Sequence, residues 1–150
     1  MKIVLQRVKK AKVLVEGKTA GEIGAGVCLL VGIEKGDREV EADYLADKVI
    51  GLRIFPDEQG KMNLSLMETG GGILAVSQFT LAASIKKGRR PSFDPAESPE
   101  QAARLFNYFV ERLKGSGLKV ETGVFQAMMD VYLINDGPVT FILDSKMKQL

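Results

Sequence analysis

The stretch Gly26-Val27-Cys28-Leu29-Leu30-Val31-Gly32-Ile33 constrains the fold more than any other part of the chain. It is a nearly unbroken apolar run with no polar alternation. That pattern reads as a central strand buried on both faces. The segments around it are also strand-like. Lys2 to Val8 is rich in β-branched and apolar residues, Lys9-Lys10 breaks the run, and Ala11 to Val15 resumes it. Glu16-Gly17-Lys18 has hairpin-turn chemistry, and a further strand is expected over Thr19 to Ile23.

Two segments carry helical periodicity instead. Asp37 is expected to cap a helix running to about Leu52, with Val40, Tyr44, Leu45, Val49 and Leu52 at helical spacing. Ser98-Pro99-Glu100-Gln101 reads as N-cap, proline at the first helical position, and glutamine closing a capping box. Ala102, Leu105, Phe106, Phe109, Val110 and Leu113 form that helix's stripe, and Gly115 stops it. Arg53-Ile54-Phe55 is a short strand, Pro56 to Lys61 a turn, and Gly70-Gly71-Gly72 opens a strand over Ile73 to Phe79. Leu81 to Phe93 is a loop with a basic centre. Strands follow over Leu118 to Phe125, Met128 to Asn135 and Val139 to Leu143, and the polar tail Ser145 to Leu150 is expected to fray. Short links between many strands, with two main helices, predict an α+β fold with a mixed or antiparallel sheet. At 150 residues and 45% hydrophobic content, one domain spanning 1–150 with one core is expected.

Composition narrows the function. The net charge is only +2, so any polyanion site must be a local patch. There is no histidine, which removes Ser-His-Asp and Cys-His catalysis and imidazole-based metal sites. One cysteine allows neither an intrachain disulfide nor a cysteine metal cluster. The N-terminal residues turn polar too soon for a signal peptide, and no apolar run approaches the ~20 residues of a membrane span. A soluble cytoplasmic protein is the expectation.

Several segments are candidates for chemistry. Cys28 sits in an apolar run and reads as a buried structural thiol. Gly21, Gly24 and Gly26 have the wrong order for a nucleotide loop, and hairpin turns explain them better. Lys86-Lys87-Gly88-Arg89-Arg90 puts four cations within five residues, either a phosphate-binding loop or a solvated one. Ser77-Gln78-Phe79-Thr80 closes an apolar strand, where main-chain N–H groups come free of the sheet. With no histidine to act as base, its hydroxyls are weak nucleophiles, and donors to a developing oxyanion are the better catalytic reading. A plain polar strand end is the alternative. Asn135-Asp136-Gly137-Pro138 requires a break in the sheet ladder, because proline cannot donate. It is either a rigid projecting element or a tight turn. Phe125, Met128 and Met129 either line an adaptable apolar pocket or belong to the core.

Taken together these segments resemble the D-aminoacyl-tRNA deacylase family. The likeness spans essentially the whole chain. It is carried by Ser77-Gln78-Phe79-Thr80-Leu81 and Asn135-Asp136-Gly137-Pro138-Val139-Thr140, with support from Gln6-Arg7-Val8, Gly60-Lys61-Met62-Asn63-Leu64-Ser65 and Arg90-Pro91-Ser92-Phe93. The chain departs from the family pattern at Met128, where an acidic residue is usual, at Ile142, where an aromatic is usual, and at Arg89, where a smaller polar residue is common.

The resemblance implies a barrel-like sandwich and a homodimer with active sites at the subunit interface. It implies hydrolysis of the ester of D-aminoacyl-tRNA, and of glycine mischarged on alanine tRNA, with no metal or organic cofactor. Gly137-Pro138 would be a cis bond entering the partner's pocket and crowding an L side chain, which is exclusion rather than attraction. Catalysis would be assisted by the tRNA 2′-OH. Phe79 and Thr80 would contribute main-chain N–H groups, Gln78 would hold the adenosine end, and Ser77 would brace the strand end. Thr80 as nucleophile ranks lower. Arg7 would brace the Gly-Pro element, Phe125 and Met129 would line the adenosine pocket, and Lys86, Lys87, Arg89 and Arg90 would touch tRNA phosphates. Neither a membrane nor DNA is expected as partner.

Overall fold

The computed structural model describes residues 1–147. Its main sheet has six strands: β1 (Lys2–Val15), β2 (Lys18–Ile23), β3 (Gly26–Gly32), β6 (Gly72–Ser77), β7 (Val120–Thr122) and β8 (Asp130–Asp144). The order is β2-β1-β3-β6-β7, with β8 on the other edge of β1. β4 (Phe55–Pro56) and β5 (Met62–Leu64) form a separate hairpin. The helices are α1 (Glu39–Gly51), the four-residue α2 (Leu66–Thr69) and α3 (Pro99–Lys114).

β3 lies antiparallel to β1 and parallel to β6, and β6 lies parallel to β7. The sheet is therefore mixed. The expected central strand is found, and its side chains divide between two apolar layers. Val27, Leu29 and Val31 join Ile3, Leu5, Ile73 and Ala75 under α1 and α3. Cys28 joins Val8, Ala11, Val13, Ile23, Leu74 and Val76 on the opposite face. β2 curls over to lie against β6 and β7 and covers that second layer. The result is a nearly closed, barrel-like sheet. Parallel strands need long crossovers, which the segments carrying α1 and α3 supply.

The structure corrects several boundaries. Lys9-Lys10 does not end a strand. β1 is continuous, because β8 pairs along both of its halves and bridges the polar pair. Asp37 does not cap α1. Arg38 does, and its N–H donates to Glu41 Oε2 at 2.8 Å. Asp37 instead accepts from the Met1 ammonium and the Glu34 N–H, both at 2.7 Å. Val40 is 48% exposed, and the buried stripe of α1 is Ala42, Leu45, Ala46 and Val49. Ser98 is the N-cap of α3, but its hydroxyl makes no capping bond. β7 is trimmed at both ends of the expected Leu118 to Phe125, with a turn at Val124–Ala127 beyond it, and β8 starts at Asp130 and runs as one strand through the two expected over Met128 to Asn135 and Val139 to Leu143. Ser145–Met147 is a 3-10 turn rather than a frayed end, and the rest of the tail lies outside the described residues.

Candidate active site

β6 ends at Ser77, and the Gln78 N–H makes one last bond, to the Val31 carbonyl at 2.8 Å. The chain then tightens into a 3-10 turn over Phe79–Ala82, not the strand residue expected at Phe79. The first N–H groups of any helical turn lack partners inside it. Among the described residues neither the Phe79 nor the Thr80 N–H has a hydrogen-bond partner. Two main-chain donors therefore stand together at a strand end, an arrangement able to hold an oxygen that gains negative charge. The Gln78 amide donates to Thr80 Oγ1 at 2.5 Å, which orients both side chains.

Gly32, at the end of β3, lets this turn sit down. A Cβ there would lie 2.8 Å from Leu81 Cβ and 3.1 Å from the Gln78 carbonyl oxygen. The sequence shows Gly32 only as part of an apolar run, because its partner is a turn 46 positions away. Ala82 is buried and anchors the other end of the turn.

The Asn135–Thr140 segment is built differently. In the ladder between β1 and β8, Val8 pairs with Asn135 and Gln6 with Thr140. Arg7 alone thus faces residues 136 to 139, which bulge from the sheet, so the ladder breaks there while the strand continues. Gly137-Pro138 is a cis peptide bond. Gly137 has φ +142°, and a Cβ on it would lie 2.6 Å from Val139 Cγ2, so glycine is required. The Asn135 side chain closes the bulge, accepting from the Val139 N–H at 2.7 Å and donating to Thr140 Oγ1 at 3.0 Å.

Arg7 is 9% exposed and holds the bulge from below. Its Nε donates to the Asp136 carbonyl at 3.0 Å and its Nη1 to the Ile54 carbonyl at 2.6 Å. The Asp136 carboxylate lies 3.6 Å away. The guanidinium thereby ties the bulge to the start of the β4–β5 hairpin, whose Gly60 to Ser65 stretch was among the sequence matches.

Within one chain, the donor pair and the bulge are not adjacent. Ser77 is level with Val31 and Ile3, whereas the bulge is level with Arg7 and Val27. Four residues of strand separate them, roughly 13 Å, and three strand spacings add roughly 14 Å across the sheet.

The basic segment projects as a tongue. Ser84 and Ser92 exchange two main-chain hydrogen bonds of 2.8 Å that close it, and Gly88 turns its tip with φ +68°. Lys86, Lys87, Arg89 and Arg90 are exposed and, among the described residues, make no ion pair. Phe125 packs on Phe106 at 6.3 Å between ring centroids, in the layer under the helices. Met129 packs on the opposite layer. The two are partly buried and follow β7, which runs parallel to β6 and ends beside it. Met128 and Ile142, which depart from the family pattern, are 92% and 75% exposed. Cys28 is fully buried, and burial pushes its thiol up to about 11, so it is no nucleophile at neutral pH. Among the described residues no group of three His, Cys, Asp or Glu could hold a metal, and no helix is long and apolar enough to cross a membrane.

A protein named D-aminoacyl-tRNA deacylase from Bacillus velezensis is 60% identical over 146 residues, covering 97% of this chain and 99% of that one. Another of the same name, from Koribacter versatilis, is 57% identical over 146 residues, covering 97% and 98%. A solved structure named c-Myc DNA unwinding element binding protein superposes with a TM-score of 0.90 at 42% identity, covering 96% and 98%. The family model for D-Tyr-tRNA(Tyr) deacylase matches residues 4–144, and the chain belongs to that family.

Proposed function

We propose that this chain hydrolyses the ester joining a D-amino acid to the 3′-terminal adenosine of tRNA, releasing both. The observation that carries the reading is the unpartnered pair of N–H groups at Phe79 and Thr80. The relatives at 57% and 60% identity bear the name of this activity. In the proposed reaction water attacks the ester carbonyl carbon, the two N–H groups receive the carbonyl oxygen as charge develops on it, and the bond to the ribose oxygen then breaks, that oxygen leaving with a proton from the water. Preformed donors need no reorganisation at that moment, which is why such sites accelerate acyl transfer.

The family resemblance implies that the ribose 2′-OH beside the ester assists, and the absence of histidine and the buried, protonated thiol accord with that. Gln78, oriented by Thr80, holds the adenosine, while Phe125 and Met129 line its pocket. Ser77 braces the strand end. Lys86, Lys87, Arg89 and Arg90 contact phosphates. The step calls for no metal. A cytoplasmic setting belongs to the same proposal, since charged tRNA is consumed there.

Chirality is read by exclusion in a homodimer. Gly137-Pro138 of one protomer enters the site of its partner, where its carbonyls crowd an L side chain. A D side chain points elsewhere, and glycine has none, so glycine mischarged on alanine tRNA is also cleared. Two observations support the dimer. The bulge is remote from the donor pair of its own chain by strand register. β8 pairs only with β1 among the described residues, leaving a 15-residue edge that carries exposed Val131, Tyr132, Ile134, Phe141 and Ile142. Such an edge is a template for a second copy.

The test is a paired assay on one tRNA charged with D-Tyr or with L-Tyr, with chelator present. Release from the D ester alone is expected. Equal release from both would overturn the chiral gate. Binding without release would favour a second reading, a nucleic-acid-binding module, which the basic tongue and the name of the 42% identical structure favour.

A further inference from the structure

We propose that Phe79 and Phe93 form a stacking surface for the unpaired nucleotides that precede the terminal adenosine. The inference rests on the reading above, in which the ester lies at the Phe79 and Thr80 N–H groups. The two rings touch, with centroids 5.1 Å apart and planes tilted by 56°. Phe79 is 56% exposed and Phe93 44%, so each keeps a face in solvent.

Both rings are held by main chain. Phe79 opens the 3-10 turn seated on Gly32. Phe93 follows the Ser84–Ser92 closure, and its carbonyl accepts from the Ala96 N–H at 3.0 Å. A surface fixed before binding loses little freedom when a ligand arrives. Beyond Ser92 stand Arg90, Arg89, Lys87 and Lys86, exposed and without ion pairs among the described residues.

Open aromatic faces beside unpaired cations are the combination that binds single-stranded nucleic acid. Rings take the bases and cations take the phosphates. The order along this surface matches the order along the substrate: N–H groups for the ester, rings for the next bases, cations for their phosphates. A residue-independent platform also suits an editor that must accept many tRNAs, because every base has a face to stack.

The experiment compares D-Tyr-tRNA with D-Tyr esterified to adenosine alone, using wild type, Phe93→Ala, Phe93→Leu and Phe93→Trp. Phe93→Ala and Phe93→Leu are expected to raise KM for the tRNA about tenfold with kcat little changed. Their KM for the adenosine ester stays at the wild-type value. Phe93→Trp restores tRNA binding. Leucine keeps apolar bulk without an aromatic face, so its behaviour guards against a simple packing defect in the alanine variant. An equal loss on both substrates would mean that Phe93 supports the Phe79 main chain or holds the amino-acid side chain, and would overturn the inference. No change on either substrate would overturn it as well. Wild type inactive on both D esters would instead defeat the proposed activity itself.

Discussion

Arg7 reaches two main-chain carbonyls from a nearly enclosed position, one on the bulge and one before the β4–β5 hairpin. Its planar fork serves both at once, which a lysine ammonium does not reproduce. Arg7→Ala leaves both carbonyls short of a donor and is expected to cost about 1–3 kcal/mol in stability. Because the bulge loses its support, the ratio of D-ester to L-ester hydrolysis should also fall. Denaturant titration reads the first effect and the paired assay reads the second; unchanged selectivity would remove Arg7 from the gate. Thr80 is the contrasting case. Its N–H belongs to the backbone and survives substitution, so Thr80→Ala should keep activity within about tenfold. Complete loss in a folded variant would favour the hydroxyl as nucleophile. Arg7, Thr80 and Gly137 were all legible as positions, because each lies in a recognisable motif. The bond from Arg7 to the Ile54 carbonyl was not, since nothing local links residues 47 positions apart.

At the scale of elements, the donor pair depends on how one turn packs against one strand. The 3-10 turn at Phe79–Ala82 rests on Gly32 of β3, with no room for a Cβ. Gly32→Ala must push that turn outward while leaving the rest of β3 paired. A small displacement of oriented donors can cost on the order of 100-fold in rate. The expected result is a large fall in kcat with a modest fall in Tm. If kcat held and only Tm fell, the turn would not be what positions the donors. The same scale explains the misread boundaries. Lys9-Lys10 looks like a strand break because two charges interrupt an apolar run. A partner strand running the full length of β1 overrides that local signal. Of the α1 stripe expected from spacing, Leu45 and Val49 are buried and Val40 is exposed, while Ala42 and Ala46 complete the buried face as small residues that an apolar count passes over.

At the scale of the molecule, Met1 packs against the turn that follows β8. The Met1 ammonium is buried against Asp37 at 2.7 Å and Ser145 Oγ at 2.9 Å. Beside it Glu34 is 3% exposed, with Lys2 Nζ at 3.2 Å and Lys146 Nζ at 2.5 Å. Burial alone would raise the Glu34 carboxyl, but the Lys146 and Lys2 ammonium groups, with the charged amino terminus of Met1, hold the carboxyl below its ordinary 4.5. A carboxylate lowered in the folded state adds stability above its unfolded pKa, and loses it as pH falls through the folded value. Melting curves should therefore show the Tm gap between wild type and Glu34→Gln widest near neutral pH. The gap should close as pH drops below about 4.5. A gap independent of pH would mean that the charge of Glu34 contributes nothing. Assembly belongs to this scale too. Sedimentation equilibrium is expected to give twice the chain mass, and Tyr132→Glu on the open β8 edge should shift it toward monomer with loss of D/L discrimination. A monomeric wild type that still discriminates would exclude a gate donated across subunits.

The sequence by itself determined the elements with strong local chemistry. The unbroken apolar run became the strand buried on both faces, because no polar alternation left it a solvent side. Pro99 opened α3, because its fixed φ suits the first helical position, whereas Gly115 follows the last helical residue with helical dihedrals and the left-handed turn falls at Gly117. Motif resemblance marked Ser77 to Thr80 and Asn135 to Thr140. Only the tertiary structure decided what joins them: the shared edges of β1, the seat that Gly32 offers the turn, the reach of Arg7 to Ile54, and the aromatic contact of Phe79 with Phe93. Each depends on residues distant in the chain, and their contact is set by strand register and layer packing rather than by any local preference.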